Sequence, residues 1–98
     1  MQANDFEIGT YFTNGWALWL CTDVGSRIIA GIRVDRVETA TLRDGVRTNG
    51  SVDARRDPSW LSGPPYKIAE MVFDEDDLVE LRLIAAGEVA AWVPDVVG

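Results

Sequence analysis

Three Xaa-Gly pairs, Asn14-Gly15, Asp44-Gly45 and Asn49-Gly50, punctuate the first half of the chain and constrain its fold more than any other feature. A two-residue type I′ hairpin turn needs positive φ at both central residues, and Asn or Asp followed by Gly adopts that at least steric cost. Asn14-Gly15 sits between residues 7–13 and 16–21, both rich in aromatic, β-branched or bulky apolar side chains. The pattern predicts a β-hairpin turning there. Residues 36–57 are polar and contain the other two pairs. They read as an exposed hairpin or a mobile excursion, with residues 37–43 turning at Asp44-Gly45, in a polar stretch that extends to about residue 66.

Residues 16–21 are apolar on both faces, with Trp16, Leu18 and Leu20 on one and Ala17, Trp19 and Cys21 on the other. Such a segment is a central strand covered on both sides, or a barrel strand with one face in the core. Residues 27–35 alternate. Ile28, Ala30, Ile32 and Val34 share one face, and Gly31, Arg33 and Asp35 share the other with Ile29, which predicts a half-buried strand. The short link over 22–26 makes these two strands antiparallel neighbours. After the break at Ser62-Gly63-Pro64-Pro65, residues 67–73 alternate again, with Ala69, Met71 and Phe73 on one face. The last stretch supports two readings. The acids at 74–77 suit the start of a helix running to Ala86 with Gly87 at its end. The alternation of Val79, Leu81, Leu83 and Ala85 suits a strand pairing back through residues 88–93, and Pro94 ends either element. The expected class is mostly β: a small antiparallel sheet or an SH3-like barrel in one domain over 1–98, with at most one short helix near the C-terminus.

With 98 residues the chain can close one core, and 47% hydrophobic content is ordinary globular usage. There is no histidine, which removes the commonest general base and metal ligand, and there is no glycine-rich phosphate loop. No catalytic residue, metal or cofactor is therefore expected. The single cysteine, Cys21, excludes an internal disulfide and a thiolate zinc set. Its apolar strand context predicts a small buried hydrophobe. A lone cysteine, no basic leader and no long apolar run together suggest a cytoplasmic protein without a membrane span.

Net charge is −7 and unevenly spread. In residues 27–68, Arg27, Arg33, Arg36, Arg43, Arg47, Arg55, Arg56 and Lys67 outnumber the acids, whereas beyond residue 68 Arg82 is the lone cation. Glu70, Asp74, Glu75, Asp76, Asp77 and Glu80 crowd together with no cation among them. The run does not fit a calcium loop, because Leu78 and Val79 occupy its fifth and sixth positions. It reads as a helix cap or solvated turn, as a weak magnesium surface, or as a patch imitating nucleic-acid phosphates. The six acids are the candidate partner-binding residues, and a basic protein surface is the expected partner. Arg43, Arg47, Arg55 and Arg56 favour phosphate, but the acidic chain as a whole repels the polyanion, so direct nucleic-acid binding is not expected. An alternative site is aromatic: Trp60 and Tyr66 flank the Gly-Pro-Pro break and either cover the core or anchor an interface.

Two blocks, Trp19-Leu20-Cys21-Thr22-Asp23-Val24-Gly25-Ser26-Arg27-Ile28-Ile29-Ala30 and Gly63-Pro64-Pro65-Tyr66-Lys67-Ile68-Ala69-Glu70-Met71-Val72-Phe73-Asp74-Glu75-Asp76-Asp77, carry a resemblance. They resemble a group of short uncharacterised bacterial proteins that pair a W-x-C-T-D-x-G-[ST]-R block with a G-P-P-Y-x-x-A-E-x-V-F-D-E-x-D block. The resemblance brings no activity with it, and residues 78–98 extend beyond the shared pattern. In size and acidity the chain is also similar to phage-encoded inhibitors such as anti-CRISPR proteins, without a shared motif. The functional expectation is a non-catalytic decoy, a DNA mimic whose acids occupy a basic nucleic-acid channel on a partner. The alternative is a housekeeping interaction module that uses Trp60 and Tyr66. Ionic strength separates them, since only the charge decoy weakens steeply with salt.

Overall fold

The first hairpin forms, but its turn differs from the predicted one. In the computed structural model, which describes residues 1–93, β1 (Tyr11–Thr13) pairs antiparallel with β2 (Leu18–Val24), and Thr13 lies opposite Leu18. The connection is thus a four-residue loop, in which Gly15 alone takes positive φ, at 106°. Asn14 acts through its side chain: Oδ1 accepts from the backbone N–H of Trp16 at 3.4 Å and of Ala17 at 3.0 Å. The Thr13 hydroxyl donates to the Ala17 carbonyl at 2.7 Å and accepts from the Gly15 N–H at 3.0 Å. These local bonds replace the backbone bonds of a two-residue turn. They also push Trp16 out of the strand, where the Arg33 guanidinium lies 5.0 Å from its ring centre.

β2 is the central strand. The remaining strands are β3 (Ile29–Arg33), β4 (Val37–Arg43), β5 (Val46–Val52), β6 (Met71–Phe73) and β7 (Arg82–Ile84). Five of the seven strands form an antiparallel sheet in the order β6-β3-β2-β1-β7, and β4 and β5 pair separately. Ala17, Trp19 and Cys21 pack on one face with Ala3, Phe6, Phe12, Ile29, Phe73, Leu78 and Leu81. Leu18 and Leu20 pack on the other with Ile32, Val34, Val37, Ala54, Ile68 and Ile84. The protein is therefore mostly β with a small antiparallel sheet, and the SH3-like barrel does not form. A barrel has one inner face to fill, whereas this central strand carries large apolar side chains on both, so an open sheet with a core on each side buries more of them.

The first core is organised around Phe12. Its ring meets Phe73 edge-on at 5.2 Å and Phe6 at 5.5 Å, and lies nearly parallel to Trp19 at 6.4 Å. β3 departs from its predicted pattern. Ile28 precedes the strand and is exposed, Ile29 enters the first core, and Ile32 and Val34 enter the second. Gly31 has a packing reason: a Cβ there would sit 2.9 Å from Phe12 Cζ and 3.0 Å from the Leu20 carbonyl oxygen. A bulge at Thr22 shifts the β2–β3 register between Cys21 and Asp23. Cys21 is buried as expected, and burial raises its thiol pKa and suppresses the reactive thiolate.

The second predicted hairpin also forms, and here the turn matches. Asp44 and Gly45 both take positive φ, at 53° and 77°, and Arg43 faces Val46. That turn sets the register of the whole ribbon and overrides the third pair. Asn49 and Gly50 lie within β5, opposite Ala40 and Thr39. Past the hairpin the chain returns to the body, where Ala54 is fully buried.

The last stretch forms neither alternative alone. A short helix α1 (Glu75–Leu78) is followed by β7, which pairs with β1 rather than with residues 88–93, and then by α2 (Ala86–Ala91). Two short helices thus replace the one expected, with Gly87 inside α2. Pro94 lies outside the described residues. The segment 67–73 pairs only over β6: Phe73 is buried, while Ala69 and Met71 are exposed.

Candidate acidic binding face

Asp74, Glu75, Asp76 and Asp77 lie where β6 hands over to α1, with Glu70 just before β6 and Glu80 just after α1. Asp74 takes an extended backbone and caps the helix, its Oδ1 accepting the N–H groups of Asp76 and Asp77 at 3.0 Å each. Asp77 Oδ2 accepts the Asp74 N–H at 3.0 Å, which completes a capping box. Carboxylates here are also favoured by the helix dipole. Glu75 meets Arg27 from the β2–β3 loop, and the guanidinium hydrogen bond holds the Glu75 carboxyl below its usual range. At the far end of β6, Glu70 accepts the hydroxyl of Thr22, the bulge residue, at 2.7 Å. Among the described residues the carboxylates of Asp76 and Glu80 make no hydrogen bond or ion pair. All six acids are exposed.

The structure gives the six acids different roles. Asp74 and Asp77 shape the turn, Glu70 and Glu75 bind the body, and Asp76 and Glu80 face solvent. Arg27 was missed from sequence: it is 48 residues from Glu75, and only the pairing of Ile29 with Phe73 brings them together. Among the described residues no three acids or thiols converge in an arrangement that holds a metal ion. No described helix is long and apolar enough to cross a membrane.

Trp60 and Tyr66 are half-buried and pack on the second core beside Leu61, Val89 and Trp92. Tyr66 lies on Gly63, where an added Cβ would sit 2.6 Å from its ring. The Lys67 ammonium lies 5.8 Å from the centre of the Trp60 ring.

A further polar cluster had no sequence signal. The Asp35 carboxylate is completely buried, accepting from Arg33 Nε at 2.8 Å and from Trp92 Nε1 at 3.0 Å. Nearby, Arg55 grips Asp53 through Nε at 2.9 Å and Nη2 at 2.7 Å. Its Nη1 donates to the carbonyls of Val89 and Trp92 at 2.6 and 2.9 Å. Arg55 is therefore committed to closing the C-terminal end of α2 rather than free for phosphate.

This pair sets a pH dependence. The Arg55 hydrogen bond lowers the Asp53 pKa below its ordinary value. A depressed carboxylate adds stability that is present above the unfolded pKa, near 3.9, and is lost as pH falls through the lower folded value. Asp57 and Glu75 are shifted the same way by their partners. The melting temperature should be flat from neutral pH to about 5 and fall below about 4. Asp53→Asn should melt lower at neutral pH and converge on the wild type in acid. Parallel curves across the whole range would rule out this linkage.

No family model, no curated protein and no solved structure matches this chain. Fold and site together define a small, mostly-β protein with an exposed carboxylate face.

Proposed function

We propose that this protein is a non-catalytic binding protein whose acidic face docks on a basic protein surface, as a decoy for a nucleic-acid-binding partner. The observation that carries this reading is the display of Asp74, Glu75, Asp76 and Asp77 on one exposed turn, held in place by a capping box. A fixed array of carboxylates loses little freedom on binding, which favours its use as a rigid imitation of backbone phosphates. The absence of histidine supports a non-catalytic role. Trp60 and Tyr66 lean on the core, which favours the acidic face over the aromatic patch.

The test replaces Asp74, Asp76 and Asp77 with Asn and Glu75 with Gln. Asn caps a helix about as well as Asp, so the fold should hold, with a loss of about 1 kcal/mol or less from the dipole interaction. Nucleic-acid-binding proteins captured from a bacterial lysate by the wild type should be released by high salt and by added duplex DNA. The variant should capture them poorly. Capture that survives the replacement and ignores DNA would rule out the decoy.

A further inference from the structure

We draw no further inference here: the strongest candidate, the exposed β4–β5 hairpin with its outer edges unpaired among the described residues, is charge-balanced, with Arg43 and Arg47 against Glu38 and Asp44, and nothing in the structure shows what covers it.

Discussion

Replacing Phe12 with alanine is expected to destabilise the protein by about 3–5 kcal/mol, the usual cost of emptying a fully buried phenylalanine site. The side chain has no solvent exposure, and Phe6, Trp19 and Phe73 all pack against its ring. Those three come from the N-terminal segment, β2 and β6, so no single element can shift to fill the void. Gly31 backs the ring from β3 and brings no side chain with which to do so. A domain of this size has only about 5–15 kcal/mol of stability, so the variant should sit near its folding threshold. At about 4–8 °C per kcal/mol, the melting temperature should fall by roughly 12 °C or more. Phe12→Leu, which fills part of the space, should recover part of the loss. A melt of Phe12→Ala within a few degrees of the wild type would mean that the first core is not built around this ring.

What the sequence could disclose depended on how local the deciding interaction was. Asp44-Gly45 formed the turn its dipeptide predicts because nothing nearby competed with it. Asn14-Gly15 has the same kind of dipeptide, but the side chains of Thr13 and Asn14 supplied alternative partners for the turn backbone. Asn49-Gly50 was overruled by the register that Asp44-Gly45 had set. The two apolar faces of residues 18–21 marked a strand covered on both sides, but Trp16, counted with them, is exposed in the turn. The alternation in residues 27–35 misled because this strand too is covered on both faces, where period-two contrast disappears. Residues 82–91, beyond the blocks that carry the resemblance, supply an edge strand and a helix, and the edge strand depends on pairing with β1 far upstream.

The candidate site followed the same rule. A run of acids before an apolar residue is a legible helix cap, and Asp74 caps. The cation that meets Glu75, and the hydroxyl that meets Glu70, come from the β2–β3 segment and were invisible to any local pattern. Arg27 offsets the charge of Glu75, whereas the Thr22 hydroxyl only orients Glu70. Among the described residues only the Glu75 charge of this face is paired, so Glu70, Asp74, Asp76, Asp77 and Glu80 keep their charge for a partner, and neutralising them should flatten the salt dependence of any complex made by this face.

The second large effect is expected at Asp35. Alanine there would leave the Arg33 guanidinium without its carboxylate and the Trp92 indole N–H without an acceptor. Removing one partner of a buried pair costs about 3–5 kcal/mol when the remaining charge is fully enclosed. Arg33 keeps some contact with water, its side chain being 24% exposed, and it also lies over Trp16. The expected loss is accordingly smaller, about 2–3 kcal/mol. Asp35→Asn retains a hydrogen-bonding side chain and should lose less. Trp92→Phe removes one hydrogen bond and should cost only about 0.5–1.5 kcal/mol. The damage from Asp35→Ala should also be local. Trp92 ties the end of α2 to the base of the hairpin, so hydrogen exchange at the Val89 and Trp92 amides should accelerate before exchange in β2 does. Uniform acceleration across the sheet would mean that Asp35 supports the whole fold. An unchanged melt with unchanged exchange would mean that the buried carboxylate does not hold α2 in place.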